Sequence, residues 1–472
     1  MRRRALRRRF ATSLGLVAIA LVAAACPALA SSASLVRDIN PGSASSSPTS
    51  FADVGGAAFF AADDGTHGNE LWRSDGTAPG TRLIRDISPG GPSSNSQEFT
   101  IVGATVLFPA DDGAHGTELW RSDGTAAGTQ LVRDINPGFE DSYPHNFVNV
   151  GGTAFFAADD GAHGTELWRS DGTAVGTELV RNIRPDGGTH PDSNPHELTN
   201  VAGTLIFAAT DGTHGVELWR SDGTAAGTEL VRNIRPDGGA LPGSSPRDLT
   251  NVAGTLFFGA TDGTHGVELW RSDGTTAGTK LVRDIDPGGA DSDPDNLVSV
   301  GETIFFAAGN STRGRELWRS DGTATGTKLV RDIFPGSEGS SPNELTSAGG
   351  SVFFAASDGT HGTELWRSDG TAAGTKLLRD IRPGTLGSAP REMTDVAGTV
   401  FFGATDGIRG RELWRSDGTA AGTALVRNIR PDTGTGTFHR GSAPRSLTNV
   451  AGTLFFSAYE DIHGRELWKA IP

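Results

Sequence analysis

The loop Asp262-Gly263-Thr264-His265-Gly266-Val267-Glu268 sets Asp, His and Glu at steps of three. Oxygen and imidazole donors on one hairpin are ligand types that can converge on a metal ion. Turn chemistry explains the same letters, because Asp and Gly suit a tight turn and His can bond a neighbouring strand. Two repeats carry Arg313 and Arg409 at the His position, and the last reads Glu460-Asp461-Ile462-His463. An arginine is no ligand there. No Asp-x-Asp-x-Asp-Gly calcium loop is present. The turn reading prevails, so no metal, cofactor or catalytic residue is expected, with calcium as the alternative.

Other groups invite the same test. Asp273-Gly274-Thr275 could cradle calcium or phosphate, but its spacing is that of a hairpin whose Asp caps its own turn. Arg283-Asp284 could be an acid with its orienting partner. An ion pair between neighbouring units fits better, because Asn182, Asn233 and Asn428 replace the aspartate in three units. Trp270 and its equivalents could stack on sugar rings. Core packing is preferred, since burying a large side chain contributes about 1.5–3 kcal/mol.

All of these groups recur. Trp72, Trp120, Trp168, Trp219, Trp270, Trp318, Trp366, Trp414 and Trp468 each sit in Glu-Leu-Trp, at spacings of 48 to 54 residues. A period of this size marks a repeat architecture. Nine copies of a feature describe the unit, whereas catalysis needs an asymmetric constellation. Interest therefore moves to what breaks the repeat. Three connections between units are longer than the rest, beginning at Pro185, Pro236 and Pro431. Insertions on one face of a repeat protein often mark its binding side. The candidate binding residues are His190, Phe438, His439 and Arg440, with Tyr143 and His145 as a smaller patch.

One unit shows what must position them. Leu249 to Val252 predicts a short strand and Thr255 to Ala260 a second. The second has apolar groups on both faces and must be covered on both sides. Val267 to Arg271 predicts a third strand and Lys280 to Ile285 a fourth, with Gly-containing hairpin loops between them. Four antiparallel strands in about 50 residues describe a propeller blade. No segment has the spacing of an amphipathic helix. The sequence after residue 30 opens with a lone fourth strand, Leu35 to Ile39, and finishes with three strands lacking a fourth. The fold expected is an all-β, single propeller of nine blades over residues 31–472, closed by the N-terminal strand.

The octet Glu-Leu-Trp-Arg-Ser-Asp-Gly-Thr, followed by Gly-Thr, resembles the bacterial ELWxxDGT-repeat proteins over residues 35–470. The ninth copy departs, ending Lys469-Ala470-Ile471-Pro472. The resemblance implies secreted or surface proteins of propeller type and carries over no catalytic residue.

Residues 1–30 read as a signal peptide, with six arginines before a 12-residue apolar run, Leu14 to Ala25, and Ala28-Leu29-Ala30 as a cleavage site. The run is short of the ~20 residues a membrane-spanning helix needs. Cys26, the only cysteine, suggests a lipid anchor as the lesser alternative. Loss of the leader takes the net charge from −15 to −15 − 6 = −21, which disfavours nucleic acid as a partner. The function expected is an exported, monomeric, non-catalytic scaffold presenting a loop face to a protein or glycan. The alternatives are a polysaccharide-acting enzyme using the channel and a calcium-dependent adhesin.

Overall fold

The computed structural model describes residues 32–185, 192–236, 243–431 and 440–472. The leader, Cys26, His190, Phe438 and His439 lie outside the described residues. The described residues form nine four-stranded antiparallel sheets, each ordered first to fourth strand, as the blades of one propeller. The fifth blade is Arg247–Val252, Thr255–Thr261, Val267–Ser272 and Lys280–Arg283.

The ninth sheet takes Arg445–Val450, Thr453–Glu460 and Gly464–Ala470 from the end of the chain and Ala33–Arg37 from its beginning. Leu35 pairs with Trp468 and Arg37 with Leu467. The ring is therefore closed by the N-terminal strand. Val36 and Ile39 then pack with Phe60 and Trp72 of the first blade and Val450, Phe455 and Leu467 of the ninth.

Each apolar cluster lies between two blades, which follows from strand alternation. Leu256, Phe258 and Ala260 of the fifth blade pack against Ile206 and Leu218 of the fourth. Phe257, between them in sequence, faces Ile304, Phe306 and Trp318 of the sixth. The nine tryptophans are 2–5% exposed and sit in these seams. Each contributes about 1.5–3 kcal/mol by burial, an upper estimate for a chain already compact when unfolded.

A cation reinforces most seams. The Arg283 guanidinium lies 5.9 Å from the Trp318 ring of the next blade, and its Nη1 donates to the Thr327 carbonyl at 2.6 Å. Such contacts add about 0.5–2 kcal/mol. The arginine thus bonds the next blade's tryptophan and backbone, and Arg283-Asp284 is not the ion pair expected. Asp284 instead accepts from the Gly288 N–H at 3.2 Å.

Two boundaries differ from the sequence reading. The fourth strand stops at Arg283, because the ladder shifts between Leu269 and Trp270 and Ile285 donates its N–H to the Glu268 side chain. The first strand begins earlier, at Arg247, through a β-bulge: Arg247 opposes Gly259 and Thr250 opposes Phe257. The same shift occurs in eight of the nine blades. First strands of neighbouring blades contact one another, so they line the centre of the ring. Among the described residues no helix is long and apolar enough to cross a membrane.

Candidate functional site

The Asp-x-x-His loops close on themselves. Asp262 Oδ1 accepts from the N–H of Thr264 at 2.8 Å and of His265 at 3.0 Å. The His265 ring donates to Oδ2 at 2.7 Å. Burial pushes the Asp262 carboxyl up, but the His265 ring and the backbone donors outweigh it and hold it below its usual range. The bond to Asp262 raises the His265 pKa in turn.

Glu268 does not join them. Its carboxylate is fully buried and accepts from Ile285 N–H at 2.9 Å, Asp286 N–H at 3.3 Å, Ser292 N–H at 3.2 Å and Ser292 Oγ at 2.6 Å. It replaces ladder partners for the chain leaving the fourth strand. Burial pushes its carboxyl up to about 7 against the pull of Ser292 and the backbone donors. The glutamates of all nine Glu-Leu-Trp motifs are equally buried. Among the described residues no three His, Cys, Asp or Glu side chains are grouped to hold a metal ion.

These loops share a face with the connections between blades, since Ser94 N–H donates to Asn69 O at 3.1 Å and Thr117 N–H to Asp141 Oδ1 at 2.5 Å. On that face Arg440 is exposed and Tyr143 is 62% exposed. His145, half-buried, opens the first strand of the third blade and donates through Nδ1 to the Tyr143 carbonyl at 2.7 Å. Tyr143 and His145 are thus brought together, beside the channel, while Arg440 belongs to a different connection.

The channel holds what the sequence reading missed. One residue per blade, at the bulge in eight of them, lies in the left-handed region, φ 48–58°: Ser50, Glu98, Asn146, Glu197, Asp248, Asn296, Glu344, Glu392 and Ser446. Five are carboxylates, and they do not follow the repeat. Four glutamates lie in this ring. Glu98 accepts from Asn146 N–H at 2.7 Å, Glu197 from Leu249 N–H at 3.1 Å, Glu344 from Glu392 N–H at 2.8 Å and Glu392 from Ser446 N–H at 2.9 Å. Each glutamate spans the gap to the next blade.

Asp248 is one methylene shorter. Among the described residues its carboxylate has no hydrogen bond. Burial raises its pKa, and the charges of Glu197 and Asp295 raise it further. It lines a cavity of about 410 Å³ with Arg247, Asp293, Asp295 and Asn296. There Arg247 pairs with Asp293 and Arg315 with Asp295. A second cavity of about 410 Å³ is lined by Phe51, Phe99 and Phe147 with Ser50, Glu98, Thr100 and Asn146. The signal for this ring was the residue immediately before the Leu, Phe or Met of each first strand. It varies between Ser, Asn, Asp and Glu at a point where the alternation breaks.

No family model and no curated protein matches the chain. Among solved structures, a puromycin hydrolase matches with TM-score 0.38 and 15% identity, covering 67% of this chain and 50% of that one. A prolyl endopeptidase matches with TM-score 0.41 and 10% identity, covering 77% and 54%. The Pyrococcus horikoshii acylaminoacyl peptidase matches with TM-score 0.35 and 9% identity, covering 76% and 57%. The chain thus spans about half the length of these structures. Likeness at this level assigns no activity to this chain.

The expected non-catalytic scaffold is nonetheless corrected. Its premise, that the groups able to do chemistry recur in every unit, fails at Asp248 and its neighbours.

Proposed function

We propose that the chain is a hydrolase that cleaves an amide bond of a peptide with the channel carboxyls Glu197 and Asp248. One observation carries this reading. Leu249 N–H holds the Glu197 carboxylate one residue from Asp248, and Asp248 is the ring carboxyl with no hydrogen bond and a raised pKa. Two adjacent carboxyls in unlike surroundings, one held by a backbone N–H and one without a hydrogen bond, can divide the base and acid roles.

The chemistry then runs as in other carboxyl pairs. The Glu197 carboxylate, held by the Leu249 N–H, takes a proton from water, and the oxygen attacks the amide carbon. Protonated Asp248 gives its proton to the departing nitrogen as the C–N bond breaks. The products are a carboxylic acid and an amine, and the proton on Glu197 returns the pair to its starting state through solvent. Asp295 contributes by its charge, which helps to keep Asp248 protonated.

A quenched fluorogenic peptide library tests this, with chromogenic glycosides in parallel. Peptide cleavage that falls about 10²–10⁴-fold in Asp248→Asn is the expected result. Cleavage of glycosides alone, or peptide cleavage unchanged in Asp248→Asn, overturns the reading. Activity that needs protonated Asp248 should fall as pH rises through its raised pKa.

The proposal includes export, which the arginine-rich start and the apolar run Leu14 to Ala25 support. Recovery from the culture medium of a chain beginning near Ser31 is the matching test. Membership of the ELWxxDGT-repeat group is proposed on the same octet described above.

A further inference from the structure

The sixth, eighth and ninth blades share a local geometry with different charges. In the sixth, Asp295 opens the first strand opposite Ala307. Arg315, on the third strand, donates to the Ala307 carbonyl at 3.3 Å and forms an ion pair with Asp295. A carboxylate is thus held beside the second strand by an arginine.

In the eighth blade the opposed residue is Arg391, in register with Gly403. Arg411 takes the Arg315 role, donating to the Gly403 carbonyl at 2.9 Å and to Ala389 O at 2.7 Å. A Cβ at Gly403 would lie 3.5 Å from the Arg411 stem and 3.3 Å from Pro444, so the arginine packs closely over this position. The ninth blade repeats the change. Arg445 opposes Ser457, and Arg465 donates to Ala443 O at 2.9 Å and to the Ser457 carbonyl at 3.4 Å.

Where the sixth blade supplies its own carboxylate, these two blades supply a second cation. Arg391 and Arg445 are exposed and make no ion pair among the described residues. Glu344 and Glu392 are the carboxylates of the neighbouring ring positions, and each already accepts from a backbone N–H of the next blade. Four guanidinium groups thus lie in two neighbouring blades whose adjacent ring carboxylates are already engaged. Burial and the adjacent arginine lower the pKa of Arg411 and of Arg465, as expected of cations short of counter-charge.

We propose that Arg391, Arg411, Arg445 and Arg465 form a subsite for the terminal carboxylate of a peptide ligand. Guanidinium groups match a carboxylate in shape and can bind it through paired hydrogen bonds. The inference rests on reading the ligand as a peptide, but not on its turnover. The acidic cavity of the fifth and sixth blades and the basic pair of the eighth and ninth give the channel mouth two charged sectors. A peptide with free ends carries both complements.

Isothermal titration of the full chain carrying Glu197→Gln provides the test, because binding is then read without cleavage. The probes are N-acetyl-tetra-alanine with a free carboxylate, the same peptide as its C-terminal amide, and inorganic phosphate. The free acid should bind at least about tenfold more tightly than the amide, a gap of roughly 1.4 kcal/mol. Adding Arg391→Gln and Arg445→Gln, both exposed, should abolish that preference while leaving the melting temperature unchanged. Equal affinity for acid and amide, no saturable binding, a preference that survives both substitutions, or tighter binding of phosphate overturns the proposal. If peptides are cleaved but acid and amide bind alike, the subsite fails and the hydrolase stands. The converse result removes the carboxyl pair and keeps the subsite.

Discussion

Replacing Ile39 by alanine tests whether the ring is one mechanical unit. Ile39 is 3% exposed and Ile285, its equivalent in an interior blade, is 5% exposed. Ile39 comes from the start of the chain, yet packs with Leu467 and with Trp72 in the seam between the last and first blades. Ile285 packs in a seam made by consecutive repeats. A buried Ile→Ala change costs about 2–5 kcal/mol, from lost transfer energy and the cavity left behind. If the ninth sheet is joined as firmly as the others, the two variants should lose the same stability to within about 1 kcal/mol. Urea denaturation gives the two free energies, and hydrogen exchange of Trp468 and Lys469, which pair with Leu35 and Ser34, reports the closing strand itself. If Ile39→Ala costs under about 1 kcal/mol while Ile285→Ala costs several, with fast exchange confined to the terminal sheet, the N-terminal strand is a frayed appendage and the reasoning fails.

Three further outcomes are expected. Burial raises the folded-state pKa of Glu118, Glu166, Glu268 and Glu466 to about 7. A raised carboxyl pKa stabilises below the unfolded value and loses that contribution as pH rises through the folded one, so the melting temperature should fall between about pH 5 and pH 8. The loop aspartates are the opposite case: Thr77 and the backbone hold Asp75 below its usual range, so a second loss should appear below about pH 4 in the same melting series. Gly124→Ala should cost more than about 1 kcal/mol by denaturation, because the site has φ +86° and the new Cβ would lie 2.8 Å from Phe59. Arg283→Met should cost about 0.5–2 kcal/mol by urea denaturation, since it removes the cation over the Trp318 ring.

Much of the fold was legible because local rules and the repeat agreed. Glu-Leu-Trp at a fixed period fixed nine third strands, and the unmatched Leu35-to-Ile39 segment fixed how the ring closes. The candidate site was less legible. Asp248 sits on a bulge in the left-handed region, where alternation no longer says which way a side chain points. The strand was therefore read as starting at Leu249. The turn reading of the His265 loop assigned no role to Glu268, which terminates backbone donors of a distant connection, as only tertiary contact reveals. The arginines of the eighth and ninth blades carry meaning only against Asp295 of the sixth, a comparison that needs the register.

The bulge has a consequence for how such a molecule can change. The residue at its apex is outside the ladder, and its neighbours keep their partners whatever its side chain. Nine left-handed positions encircle the hole, so its lettering can be rewritten one position at a time at a conformational cost of about 1–3 kcal/mol or less for each. The scaffold is in this sense a dial, with identical gears behind and interchangeable numerals in front.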